Sequence, residues 1–196
     1  YNFTDEAVEV KRGERIVQFL TRIPELYISF LGILKVGAIA GTLFSAFQEQ
    51  ALVDRLGNSD AQIVITDSNL FPRIEKIKTK LPNLKKVIVV NRKNSSSKKH
   101  LWVLDFEKEM AAQNTKYRVA QMAKDDPAFM LYTSGTTGKP KGVVHRHYAI
   151  LQEHLTAKWV LDIRDDDVYW CTADPGWVTG IAYEILGSWS NGASTV

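Results

Sequence analysis

AQIVITDSNLFPRIEKIKTKLPNLKKVIVV, Ala61 to Val90, sets the fold class. Ala61–Thr66 is an apolar run rich in β-branched residues, as in a strand. Phe71–Leu81 places Ile74, Ile77 and Leu81 at spacings of three and four, the stripe of a helix buried on one side. Lys86–Val90 (KVIVV) returns to strand composition. The alternation continues toward the N-terminus. Arg15–Leu20 (RIVQFL) is a short β-type run. Pro24 then suits the first turn of a helix, because its missing N–H would be orphaned there. Leu26, Ile28, Phe30, Leu31, Ile33 and Leu34 carry that helix to Val36, with its end expected at Gly37. Ala38–Phe44 (AIAGTLF) is small and apolar, as in a buried strand. Gln48–Leu56 fits a helix capped by Gly57. Strands alternating with helices predict an α/β fold with parallel or mixed sheets flanked by helices.

Beyond Val90 the pattern loosens. Asn91–His100 (NRKNSSSKKH) is of low complexity and reads as a mobile surface loop. Trp102–Asn114 has a helical pattern, and Ala128–Tyr132 and Gly142–His145 are short apolar strands. Tyr148–Val160 fits a helix and Val168–Ala173 a strand, in which Trp170 alternates inward to the core. No internal repeat is visible.

Composition narrows the functional classes. Of 196 residues, 45% are hydrophobic and 24% charged, with a mean hydropathy of −0.17. That is ordinary for a globular chain. No run reaches the roughly 18 apolar residues of a membrane span. Ile28–Phe47 comes nearest, but Lys35, glycines and serines break it. Nothing after Tyr1 resembles a signal peptide, so a cytoplasmic protein is expected. The single Cys171 gives no disulfide framework, and four histidines without HExxH spacing give no zincin site. Asp165–Asp167 cannot share one face and fits a solvated turn better than a metal cluster. The formal net charge of +3 is uneven: Arg73–His100 carries +9 and the rest −6. A solvated helix face and loop explain the excess, since no aromatic interleaves its lysines for stacking on nucleic acid.

The chemistry concentrates in Tyr132–Gly142, YTSGTTGKPKG. Glycines let backbone N–H groups turn toward an anion. The hydroxyls of Thr133, Ser134, Thr136 and Thr137 can donate to phosphate oxygens, and Lys139 and Lys141 supply positive charge. It is not a Walker A loop, because only two residues separate Gly135 from Gly138 and Pro140 follows the lysine. A plain turn needs neither four hydroxyls nor two lysines.

YTSGTTGKPKGVVH closely resembles the signature of the adenylate-forming enzymes: acyl-CoA synthetases, luciferase-like ligases and peptide-synthetase adenylation domains. The match holds at Thr133, Ser134, Gly135, Thr136, Thr137, Gly138, Lys139 and Lys141. The resemblance implies that this loop contacts the β- and γ-phosphates of ATP. VYWCTADPGWVTG, Val168–Gly180, resembles the acetyl-CoA synthetase type, as does LKVGAIAG with its following Leu43-Phe44 and Ala46-Phe47. By that resemblance Trp177, Val178, Thr179 and Gly180 line the acyl pocket and the approach to CoA. Thr42 stands where a proline is expected, and Ile181 and Ala182 stand where polar residues are.

The resemblance also implies the scheme. It covers roughly Glu14 to Ala193. The chain is expected to be part of a large N-terminal domain: about 14–120 a βαβ-type subdomain and about 121–196 the phosphate-loop and acyl-pocket segment. A small C-terminal domain lies outside it, so residues 1–196 alone are expected to be inactive. The full enzyme is expected to activate a short carboxylate, foremost acetate, with ATP and Mg²⁺, then pass the acyl group to CoA. Small molecules are its expected partners, with no nucleic acid and no membrane. Lys139 is the expected catalytic charge. A medium-chain or aryl acyl-CoA synthetase and an amino-acid adenylation domain remain alternatives. So does, from another class, an anion- or nucleic-acid-binding module built on Arg73–Lys99. Cys171 fits a buried thiol, while His145 fits either packing or the border of the nucleotide site.

Overall fold

The computed structural model describes residues 10–90, 100–134 and 138–196. The Asn91–Lys99 stretch and Gly135, Thr136 and Thr137 lie outside these.

Seven strands form one sheet in the order β5-β4-β3-β1-β2-β6-β7. They are β1 (Arg15–Phe19), β2 (Ile39–Thr42), β3 (Ile63–Asp67), β4 (Lys86–Val90), β5 (Val103–Asp105), β6 (Pro127–Thr133) and β7 (Lys141–Arg146). All pair in parallel except β7, which returns antiparallel along β6. The expected parallel or mixed α/β architecture is therefore present.

Helix α1 (Pro24–Lys35) starts on Pro24 and ends before Gly37, whose φ of 77° only glycine adopts cheaply. Its Leu26, Phe30 and Ile33 pack with Phe106 against one face of the sheet, over Ile16, Leu20, Ile65 and Ile88. On the other face α2 (Glu49–Ser59) and α3 (Phe71–Ile77) contribute Leu52, Leu56, Phe71, Ile74 and Ile77, over Val17, Phe19, Val64, Val87 and Val89. A last turn, Lys78–Lys80, tightens to a 3₁₀ helix after α3.

Several boundaries differ from the sequence expectation. Helix α2 continues through Gly57 and stops at Asp60, which takes the left-handed conformation at φ 51°. Burial of Ser59 against the core outweighs the preference of glycine for a cap. Gly57 is thus an exposed helical glycine, with nothing within 4 Å of a Cβ built on it. Gly57→Ala should raise stability by about 0.5–1 kcal/mol, read from the denaturant midpoint; a lower midpoint would contradict this placement.

The segment expected to be helical from Trp102 opens instead as β5, and only Phe106–Ala111 (α4) is helical. Asp105 ends the strand and caps the helix, accepting from the Lys108 N–H at 2.8 Å. The expected Val168–Ala173 strand shrinks to β8 (Val168–Tyr169), paired in parallel with β9 (Ser194–Thr195). Trp170 therefore falls beyond the ladder and is 69% exposed rather than core.

Helix α5 (Ala149–Trp159) packs along a buried π-helical stretch, Gly180–Gly187, that runs into the single turn α6 (Ser188–Ser190). A Cβ at Gly187 would lie 2.9 Å from that of Ala157, so glycine permits the close approach. No helix among the described residues is long and apolar enough to cross a membrane.

Candidate active site

The connection after β1 leads to α1 on one face, and that after β2 leads to α2 on the other. Adjacent parallel strands that send their connections to opposite faces open a crevice at their carboxyl ends, where ligands of open α/β sheets bind. Residues 171–177 lie across this crevice. Arg22, in the β1–α1 turn, donates to the Cys171 carbonyl at 2.6 Å and to that of Ala173. Ser45, after β2, donates to Asp174 Oδ2 at 2.9 Å, and the Gly176 N–H donates to Asp174 Oδ1 at 2.7 Å.

This pinned turn presents Trp177. Its indole packs on Phe44 at 5.6 Å and Phe47 at 6.3 Å between ring centroids, yet remains 42% exposed. It forms an aromatic wall with one wet side. Val178 and Thr179 beside it are exposed, and Gly180 is buried with the Asp174 carbonyl 2.6 Å from a built Cβ. The four residues expected at the acyl pocket thus share one turn at the crevice.

The expected phosphate loop joins β6 to β7. Thr133 closes β6 opposite Lys141 in the antiparallel register, and Tyr132 pairs with Gly142. Thr133, Ser134, Gly138, Lys139 and Lys141 are all exposed. Gly138 holds φ at 81°, a left-handed turn that glycine permits. The structural placement of Gly135, Thr136 and Thr137 lies outside the described residues. The loop leaves a strand and enters a strand, so any anion it holds is met by turn N–H groups, hydroxyls and lysines rather than by a helix dipole.

The two motifs, separated in sequence, meet through side chains. The Arg55 guanidinium lies 4.0 Å over the Phe47 ring and 5.8 Å from that of Tyr132. Trp177, edge-on to Phe47, and Arg55, over Phe47 and near Tyr132, therefore form a continuous chain of contacts from the Trp177 turn to the end of β6. Burial pushes the Tyr132 hydroxyl up to about 12, and its one proton is shared between the Arg55 carbonyl and Asn58 Oδ1, each 2.9 Å away. It is a neutral anchor at physiological pH. Burial also lowers the Arg55 pKa from its ordinary value.

Arg22, Ser45 and Arg55 carry no local sequence signal, because each acts across the fold. Phe44 and Phe47 did carry one: two large aromatics in a connection just after a buried strand. The remaining candidates have packing or turn contacts of their own. Cys171 is buried just after β8, its Sγ 4.0 Å from the Thr179 carbonyl. His145 stacks on Phe129 at 4.5 Å and 4°, and burial lowers its pKa. Asp167 accepts from the Arg164 N–H at 2.8 Å, closing the expected acidic turn. Among the described residues, no three His, Cys, Asp or Glu side chains form a group able to hold a metal.

Comparison with known proteins follows the same lines. The family described as "AMP-binding enzyme" matches residues 6–196. The acetyl-coenzyme A synthetase of Bacillus subtilis is 46% identical over 187 residues, which span 95% of this chain and 32% of that protein. That of Pyrobaculum arsenaticum is 40% identical over 192 residues, 91% of this chain and 29% of its own length. Among solved structures, Brucella canis acyl-CoA synthetase superposes with a TM-score of 0.84 at 30% identity, covering 95% of this chain and 33% of its own. An anthranilate CoA ligase in complex with anthranoyl-AMP gives 0.84 at 28%, covering 95% and 36%. The chain spans about a third of the length of the curated relatives it matches.

Proposed function

This chain belongs to the AMP-binding enzyme family, and we propose that it supplies the phosphate loop and acyl-pocket wall of an AMP-forming acid–thiol ligase acting on a short carboxylate, foremost acetate. The observation that carries this is the chain of contacts from Trp177, edge-on to Phe47, through Arg55 to Tyr132. It couples an aromatic pocket wall to a loop rich in phosphate donors. On this reading residues of about 14–120 build five strands of the sheet, and about 121–196 add β6 and β7 together with the phosphate loop and the acyl pocket.

In the first half-reaction a carboxylate oxygen attacks the α-phosphorus of ATP. The bond to the bridging oxygen breaks, leaving acyl-adenylate and pyrophosphate. In the second the CoA sulfur attacks the acyl carbon, its proton is lost, and AMP departs from a thioester. The loop is proposed to bind the β- and γ-phosphates through Thr133, Ser134, Gly135, Thr136, Thr137, Gly138, Lys139 and Lys141. Its work is electrostatic: donors fixed where negative charge grows on the leaving group. Mg²⁺, which the family resemblance implies, would neutralise phosphate charge when bound. The described residues include no ligand cluster for it, so the chain's own share is assigned to its N–H groups, hydroxyls and lysines. Trp177, Val178, Thr179 and Gly180 are proposed to limit the acid.

Carboxylate-dependent exchange of pyrophosphate into ATP by the full-length protein tests this. Exchange should be fastest with acetate or propionate. A preference for benzoate or anthranilate would favour an aryl ligase, the reading that the likeness to the anthranilate ligase supports. No exchange with any carboxylate would overturn the proposal. Within the same assay, Trp177→Ala should raise the ratio of butyrate to acetate efficiency on the order of tenfold, the worth of a methylene or two in an apolar pocket. An unchanged ratio would reduce Trp177 to packing.

A further inference from the structure

We propose that Arg22 and Glu184 are a positioning pair for the carboxylate pocket: one guanidinium ties down the chain on both sides of the Trp177 turn. The inference rests on the acyl-pocket reading of that turn. On the upstream side Arg22 donates to the carbonyls of Cys171 and Ala173. On the downstream side its Nη2 lies 3.1 Å from Glu184 Oε2, a charge contact without hydrogen-bond alignment. Trp177 stands between the two anchors. Arginine suits the task because its rigid planar fork serves several acceptors at once; a lysine offers a single mobile charge.

Glu184 is the unexpected member. It is 1% exposed in a π-helical stretch whose Ile181, Ala182, Ile185 and Leu186 are buried apolar side chains. Its other oxygen, Oε1, accepts from the Tyr27 hydroxyl of α1. Glu184 is buried while the Arg22 side chain is 31% exposed, and a carboxylate taken out of water in this way seldom stabilises more than an apolar side chain of similar volume would. The geometry therefore points to position rather than stability as what this carboxylate provides. Through Tyr27 and Arg22 it locks the π stretch to α1 and to the β1–α1 turn. π-Helical segments, rare in general, recur beside functional sites.

The test compares the full-length wild type with Arg22→Met/Glu184→Leu, which removes both charges together and leaves neither buried alone. KM for acetate should rise about tenfold, in keeping with the cost of a slightly misplaced pocket. KM for ATP should stay within twofold, and the ratio of butyrate to acetate efficiency should rise. Arg22→Lys alone should fall between wild type and the double variant in KM for acetate. Wild-type acetate KM and selectivity in the double variant would overturn the inference. Equal rises in both KM values would too, since they would reveal a merely structural role. Should the double variant not fold, Glu184→Gln keeps the shape and the Tyr27 contact. It should raise KM for acetate in the same direction, and no rise would overturn the inference. A wild type without exchange on any carboxylate would instead overturn the pocket reading itself, and the pair's role with it.

Discussion

Lys139→Ala in the full-length protein should slow acyl-adenylate formation on the order of 10²- to 10³-fold at saturating ATP, the usual loss when one preorganised donor to developing charge is removed. Lys139 is exposed and directly follows Gly138, whose left-handed backbone turns the loop. The loop's arms are fixed by the Thr133–Lys141 register of the β6–β7 hairpin, and Tyr132 is anchored beneath them. A flexible cation on rigid arms can follow the phosphates as the bond to the leaving pyrophosphate breaks. Removing it leaves the hairpin and the core untouched, so the melting temperature should hold while the rate falls. Lys139→Arg keeps the charge but not the compact ammonium and should recover only part of the rate. Rapid-quench measurement of adenylate separates the chemical step from thioester formation. An unchanged single-turnover rate would remove Lys139 from the catalytic role and leave it a surface lysine.

The sheet was legible because its signals are local. Ile74 and Ile77 fall on one helical stripe and are buried on one face of α3, while KVIVV is a strand buried on both sides. The family signature was legible for the same reason, since the hydroxyls, glycines and lysines of Thr133–Gly142 are consecutive. Elements were misjudged where tertiary packing overrides a local preference. β5 has only three residues and takes its ladder from β4, so the helical pattern of the following residues dominates the sequence there. Gly57 looks like a cap, but the burial of Ser59 carries α2 past it. The π stretch is nearly all apolar and buried, so no periodicity marks its register. Arg22 meets the carbonyl of Cys171 across 149 residues, a separation at which single-sequence patterns are silent. The motifs thus pointed to the family, and only the fold disclosed which side chains hold the Trp177 turn in place.

Gly176→Ala tests that hold most severely. A Cβ built on Gly176 would lie 2.2 Å from the Phe44 nitrogen, 2.4 Å from its Cα and 2.6 Å from the Leu43 carbonyl carbon. All three are backbone atoms at the exit of β2, so no flexible side-chain end can yield. Nor can the turn slide freely. Asp174 bonds both Ser45 and the Gly176 N–H, and Arg22 holds the carbonyls upstream. The methyl group must therefore push the turn off the crevice, at a cost of about 3 kcal/mol for overpacking a tight site. Trp177, the next residue, then loses its fit on Phe44 and Phe47. A displacement near 1 Å in a positioning element costs on the order of 10²-fold, and KM for acetate should rise by that factor. Gly57→Ala, in open space on α2, provides the control, because it adds the same methyl group without touching the turn. Denaturant midpoints and exchange kinetics on both variants separate stability from pocket geometry. A Gly176→Ala enzyme with wild-type KM for acetate would show that the close approach of the two backbones does not set the pocket.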